Sequence, residues 1–301
     1  MRVAARCGCG SMPIDEPFPD ALHSSTMLSY RHAFHAGNYA DVFKHVLLVQ
    51  LIRALQRKDK PFCLLDTHAG AGRYDLHSVS AQKNREFVDG ISRLWDQTGL
   101  STELAEYVTQ VRALNPNGAL RYYPGSPRIA RNLLRPADRL VLTERHPTDH
   151  ATLKAEFTGD RQVAVHHQDG YTALKAFLPP PERRGLVFID PSFELKDEFD
   201  RLIAAVQLIH RRWASGIIAI WYPILDRAPS LRWQQTLKNL GIPAMLCAEL
   251  GLYPYDTPFG LHGNGMMIIN PPWQLDETLG RLLPELLQKL RVGNDGQTRL
   301  E

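Results

Sequence analysis

The chain has 301 residues, 44% of them hydrophobic, with 35 Lys and Arg against 32 Asp and Glu for a net charge of +3. That is enough to bury one large core or a core with a small inserted unit, and the charge balance permits a nucleic-acid partner without demanding one. The longest apolar stretch, 214–225, is broken by Ser215, Gly216 and Pro223, far short of the roughly 20 residues a membrane helix needs.

Residues 1–26 hold Pro13, Pro17 and Pro19 among Asp15 and Glu16 and no continuous apolar run, so they read as a disordered leader rather than a signal peptide. The four cysteines (Cys7, Cys9, Cys63, Cys247) form neither a disulfide framework nor a zinc spacing, and none of the twelve histidines completes one, so a reduced, cytoplasmic protein without a metal is expected. Positive or titratable groups gather before the first strand: Arg31, His32, His35, Lys44, His45, Arg53, Arg57, Lys58 and Lys60. Within that stretch 40–57 has helical apolar spacing, at Val42, Val46, Val49 and at Leu47, Leu51, Ile52, Leu55, and should pack on a sheet.

Seven short, apolar, β-branched segments read as buried strands: 62–66, 139–144, 162–167, 185–190, 216–222, 244–250 and 265–270. Helix-length stretches at 148–157, 171–177, 198–213 and 231–240 separate most of them, which predicts a mostly parallel sheet covered on both faces. Segment 73–122 shows no good strand but helical patterning at 86–95 and 102–114, and reads as a helical insertion; the tail 291–301, with Gly293, Asn294, Asp295 and Gly296, reads as loose.

The chemistry is expected at strand ends. The first strand runs into Asp66-Thr67-His68-Ala69-Gly70-Ala71-Gly72, a loop in which glycines allow close backbone approach to a ligand. A dinucleotide fingerprint would want a further Gly where Asp75 stands, which favours S-adenosylmethionine over NAD. Glu144 ends the second strand, where a carboxylate suits two ribose hydroxyls, and Asp169-Gly170 follows the third, where it could meet the cofactor's adenine amino group.

The fourth strand ends Asp190-Pro191-Ser192-Phe193. An adenine N6 is a poor nucleophile because its lone pair is delocalised; the Asp190 carboxylate and the Pro191 carbonyl can accept its two hydrogens while Phe193 stacks on the extruded base. Asn270-Pro271-Pro272-Trp273 fits the usual motif pattern better. In such sheets, however, the final strand runs antiparallel and ends away from the cofactor loops, so Asp190 is preferred and 270–273 reads as a rigid strand exit.

These motifs, together with 27–38, Ala40-Asp41-Val42, Lys44-His45, 122–130, Thr143-Glu144-Arg145-His146-Pro147 and Trp221-Tyr222-Pro223, resemble the RlmJ family of 23S ribosomal RNA adenine-N6 methyltransferases from Met27 to about Leu290. The resemblance implies a Rossmann-like class I methyltransferase, with 27–72 and 123–290 as the methyltransferase domain and 73–122 as an inserted helical subdomain. It further implies a monomer acting on 23S RNA in protein-free or early-assembly form. By matching position His45, His68, Ser126, Glu144, Asp169, Gly170 and Asp190 would contact S-adenosylmethionine, Asp190 would also accept the proton, and Tyr30 would contact RNA.

Taken on chemistry alone, His45 is a packed core histidine, Ser126 a turn or N-cap residue, and Tyr30 either a stacking residue or a surface anchor. The family's Asp-Pro-Pro-Tyr departs here to Ser192 and Phe193. Phe keeps the stacking face, and losing the proline should cost roughly 0.4–1 kcal/mol of preorganisation, so an active enzyme is expected. A DNA adenine methyltransferase and an inactive RNA-binding module remain the alternatives.

Overall fold

The computed structural model describes residues 30–254, 260–292 and 294–301; the expected leader, with Cys7 and Cys9, lies outside the described residues. A short 3-10 turn (His32–Phe34) leads into helix α1 (Tyr39–Gln56), capped by Asn38, whose side chain accepts the Asp41 N–H at 2.8 Å. Fifteen of the 18 residues of α1 are buried. The helix packs against other helices as well as a strand, so nearly every side of it is interior.

Strand β1 (Cys63–Asp66) is followed by β2 (Arg73–Asp75), helices α2 (Val79–Asn84), α3 (Ser92–Trp95) and α4 (Thr102–Arg112), strand β3 (Tyr122–Pro124) and helix α5 (Ser126–Leu133). The chain then alternates: β4 (Arg139–Glu144), α6 (Pro147–Glu156), β5 (Val163–His167), α7 (Gly170–Phe177), β6 (Gly185–Ile189), α8 (Glu198–Arg212), β7 (Ile217–Ile224) and α9 (Arg227–Lys238). Strands β8 (Met245–Gly251) and β9 (Gly263–Ile269), helix α10 (Leu275–Leu290) and strand β10 (Gln297–Leu300) complete it.

The main sheet has the order β10-β8-β9-β7-β6-β1-β4-β5. Strands β5, β4, β1, β6 and β7 run parallel to one another, and β9 inserts antiparallel between β7 and β8. Because successive strand side chains point to opposite faces, β6 sends Leu186 and Phe188 into one core with α1, α4, α5 and α10, and Val187 and Ile189 into a second with α7, α8 and α9. No helix among the described residues is long and apolar enough to cross a membrane.

Three expectations are corrected. Segment 73–122 does not lack strand: β2 and β3 pair antiparallel, Arg73 opposite Pro124 and Asp75 opposite Tyr122, so the helical segment leaves and returns through a two-stranded ribbon. Three residues per strand are too few to show a period, and the partner lies far along the chain. The tail is not loose either, and the sheet has eight strands rather than seven. Gln297–Leu300 pairs antiparallel with β8, covering backbone groups that would otherwise form an open edge.

That last strand also completes a buried polar cluster. Glu249 accepts from Tyr222 Oη at 2.7 Å, Gln234 Nε2 at 2.8 Å and Arg227 Nη1 at 2.6 Å, and Arg299 of β10 approaches it at 3.4 Å. Removing one donor from a buried carboxylate leaves it partly uncompensated. Arg299→Met is expected to lower the free energy of unfolding by roughly 1–3 kcal/mol in urea titration.

Candidate active site

The parallel strands β1, β4, β5 and β6 deliver their carboxyl ends to one edge of the sheet, and the chain order reverses between β1 and β6. A cleft of about 470 Å³ opens there. Tyr30, His45, His68, Ser126, Glu144, Asp169, Gly170 and Asp190, all eight residues expected at a site, line it. The basic stretch does not survive as one patch: Lys44 and His45 are buried near the start of α1, whereas Arg57, Lys58 and Lys60 are exposed past its far end.

The loop after β1 turns with Gly70 at φ 61° and Gly72 at φ 80°, where a side chain would be strained. Glu144 binds this loop: Oε2 accepts the Gly70 N–H at 2.8 Å and Oε1 the His146 N–H at 2.6 Å. Each oxygen keeps a further lone pair for a ligand hydroxyl. Burial raises the Glu144 carboxyl despite these bonds.

Asp169 caps α7, its Oδ1 accepting from Tyr171 N and Thr172 N at 3.0 Å each, while Oδ2 meets Arg201 at 3.2 Å. Burial would raise it, but the Thr172 N–H and Arg201 hold it below the usual range. Gly170 has no room for a side chain, since a Cβ would lie 2.2 Å from the Thr67 carbonyl oxygen. His68 bonds Thr67 Oγ1 at 2.9 Å and meets the Tyr171 ring edge-on; burial pushes it down to about 4.

On the other side of the loop, the N-terminus of α5 faces the cleft through Gly125 and Ser126. Ser126 Oγ donates to Asp66 Oδ2 at 2.6 Å, and the His68 N–H to Asp66 Oδ1 at 3.2 Å. Asp66 is fully buried at the tip of β1, and burial pushes it up to about 7 in spite of those donors. His45 stacks on Tyr123, its Nδ1 2.8 Å from Tyr123 Oη, and burial pushes it down to about 3.

Around Asp190 lies a group that the sequence reading did not assemble. Lys44 Nζ sits 2.5 Å from Asp190 Oδ2 and 2.8 Å from Asp41 Oδ1, and 5.5 Å from the centre of the Trp221 ring. Asp41 Oδ2 also meets His32 Nε2 at 2.9 Å and the Gly37 N–H at 2.8 Å, and His32 Nδ1 meets Tyr30 Oη at 2.8 Å. A hydrogen-bonded chain thus runs Tyr30, His32, Asp41, Lys44, Asp190.

Burial alone would raise Asp41, but His32 and Lys44 hold it well below the usual carboxylate range. Burial would lower Lys44, and Asp190 with Asp41 instead raises it above the ordinary lysine value. The signal available in the sequence was the placing of Asp41 and Lys44, three apart, near the start of a helix whose following residues are mostly apolar.

Tyr30 stacks on His35 at 5.5 Å, and its N–H donates to Glu194 Oε1 at 2.8 Å, tying the entry segment to the loop after β6. In that loop Phe193 takes φ 53° and presents edge contacts to Phe199 and Trp221. The rival motif lies elsewhere. Asn270 Nδ2 donates to the carbonyls of Ala214 and Gly216 at 2.8 Å, at the start of β7, and Trp273 is 82% exposed.

A sheet with this strand order and switch-point cleft defines a class I S-adenosylmethionine-dependent methyltransferase. Residues 59–301 match the family described as "Ribosomal RNA large subunit methyltransferase D, RlmJ", and the chain belongs to that family. It is 47% identical over 270 residues to the ribosomal RNA large subunit methyltransferase J of Escherichia coli (strain K12), covering 90% of this chain and 96% of that protein. Against the methyltransferase J of Haemophilus influenzae Rd the identity is 45% over 276 residues, covering 91% and 98%. A crystal structure of a Legionella pneumophila protein superposes with a TM-score of 0.83 at 37% identity, covering 89% of this chain and 98% of that one.

The raised Asp66 carboxyl has a consequence for stability. Its unfolded value is about 3.9, so the contribution of the neutral folded form is fully present below about pH 4 and is lost as pH rises through about 7. The stability of Asp66→Asn relative to wild type should therefore increase from pH 4 to 7, by an amount on the order of a few kcal/mol. Paired denaturant titrations across that range check it; a difference independent of pH would contradict the assignment.

Proposed function

We propose that this chain transfers a methyl group from S-adenosylmethionine to N6 of an adenine in 23S ribosomal RNA, as a cytoplasmic monomer acting on RNA that is protein-free or early in assembly. The observation that carries the reading is Asp190-Pro191 at the end of β6, beside β1, with the Asp190 carboxylate fixed by Lys44 and an aromatic face, Phe193, in the same cleft.

The residues present fit the cofactor. Glu144 is placed for ribose hydroxyls, and Asp169 and Gly170 for the adenine. Ser126, His45 and the start of α5 suit the aminocarboxylate end, and His68 closes the loop between them. S-adenosylmethionine supplies an electrophilic methyl group on a sulfonium sulfur.

The protein's part is orientation and proton handling. Lys44 takes Asp190 Oδ2, while Oδ1 has no partner among the described residues and is available to an amino hydrogen of N6. The Pro191 carbonyl would accept the second hydrogen, leaving the nitrogen lone pair relieved of conjugation for the methyl group that S-adenosylmethionine would supply. As the N–C bond forms and the S–C bond breaks, N6 sheds one proton to Asp190, a role worth about 10² to 10⁴ in rate. Phe193 supplies the stacking face and Tyr30, held by His32 and His35, contacts the RNA. Residues 73–122 form a subdomain that orients this segment through Glu86, which meets His35 at 2.8 Å and Asn38 at 3.0 Å.

Asp190→Asn is expected to reduce methylation of a 23S RNA transcript by about 10² to 10⁴ while S-adenosylhomocysteine still binds in calorimetry. Lys44→Met, which frees the carboxylate to rotate, should reduce kcat by at least about tenfold. Mass mapping of the modified nucleotide, with duplex DNA assayed in parallel, tests the substrate; methylation of the DNA alone would defeat the reading.

A further inference from the structure

His45 reaches the cleft from one end of a buried hydrogen-bond chain whose other end lies in the segment between β2 and β3. Tyr107 of α4 places its hydroxyl 3.0 Å from Tyr123 Oη, and Tyr123 Oη lies 2.8 Å from His45 Nδ1. Tyr107 and Tyr123 are 0% exposed and His45 is 1% exposed.

The direction of the protons follows from the partners available. The Tyr107 hydroxyl has Tyr123 as its single hydrogen-bond partner among the described residues. A buried O–H left without an acceptor costs more than a made bond returns, so Tyr107 donates to Tyr123. Tyr123, having accepted, donates its own proton to its remaining partner, His45 Nδ1. Burial keeps the imidazole neutral, and a neutral ring carries one proton, which therefore resides on Nε2. That nitrogen has no partner among the described residues, and His45 lines the same cleft as Gly125 and Ser126 at the N-terminus of α5.

We infer that Tyr107 and Tyr123 are positioning residues that lock His45 in the Nε2–H tautomer, so that with the start of α5 it offers a fixed, neutral donor to the methionine carboxylate of S-adenosylmethionine. The opposite tautomer would turn a lone pair toward that carboxylate and repel it. A protonated ring would be a stronger donor but would sit uncompensated in the core before the cofactor arrives. The inserted segment is thereby coupled to cofactor affinity through two hydroxyl protons. This rests on the proposed assignment of His45 to the cofactor.

The test begins with the cofactor-free full-length protein, labelled with ¹⁵N-histidine. Its nitrogen shifts should report His45 with Nδ1 bare and Nε2 protonated; a protonated Nδ1 overturns the inference. Tyr123→Phe, which keeps the ring, should give a mixture of tautomers and weaken S-adenosylhomocysteine binding about tenfold, the loss of one hydrogen bond's worth of orientation. The KM for S-adenosylmethionine should rise in parallel, and kcat at saturating cofactor should stay within about threefold. Tyr107→Phe should move both readouts the same way by a smaller factor. Unchanged tautomer and affinity in Tyr123→Phe overturn the inference. His45→Ala that binds S-adenosylhomocysteine like wild type would instead defeat the cofactor assignment, whatever the nitrogen shifts show.

Discussion

Lys44 places one ammonium between two carboxylates that arrive from different parts of the chain, Asp41 on its own helix and Asp190 at the tip of β6. None of the three groups could be buried alone at tolerable cost, and together they fix where the first helix meets the sheet. Such a triad is weak evidence for stability, because hydrophobic residues in its place often serve as well. Its value lies in position. The Asp190 carboxylate, proposed to meet a substrate nitrogen, is held from behind, and the same Asp41 that holds Lys44 also holds His32 and, through it, Tyr30.

A second constraint works through absence of bulk. Gly170 lets α7 start against the Thr67 carbonyl, and a side chain at Gly70 would collide with Tyr74 Oη at 2.3 Å. The β1 loop is consequently pinned between β4, through Glu144, and α7. A cofactor laid across these strand ends meets backbone already in place rather than a loop that must be ordered, which preserves binding energy for orientation.

The sheet was legible because its strands are buried on both faces and read as short apolar runs; the order around β1 then followed from how such sheets are wound. Asp190 was preferred to Asn270 for the same topological reason, and β9, which leads into Asn270, does run antiparallel to β7. The ribbon of β2 and β3 and the last strand were not legible. Tyr122 and Tyr123 favour extended backbone, but a strand of three residues shows no period, and Gln297–Leu300 forms its strand against the edge of β8. The side of α1 that lines the cleft was hidden differently: Asp41, Lys44 and His45 sit in a buried helix, where periodicity says only that the neighbourhood is interior, and their partners come from the tip of β6, β3 and the segment before the helix.

Ser192 is where this chain departs from the family motif, and the structure shows what stands in for the missing ring. A proline would restrict φ at 192; the next residue, Phe193, has a left-handed φ of 53° that is costly for a non-glycine residue. Here Phe193 is held by edge contacts with Phe199 and Trp221, while Ser192 Oγ makes a long bond of 3.4 Å to Glu194 Oε2 and the other oxygen of Glu194 accepts the Tyr30 N–H. A proline's contribution of roughly 0.4–1 kcal/mol is comparable to one net hydrogen bond. The exchange is therefore nearly neutral in energy but not in wiring. The loop after β6 is thereby tied to the Tyr30 segment, since one carboxylate, Glu194, bonds both the Tyr30 N–H and Ser192, the residue before Phe193.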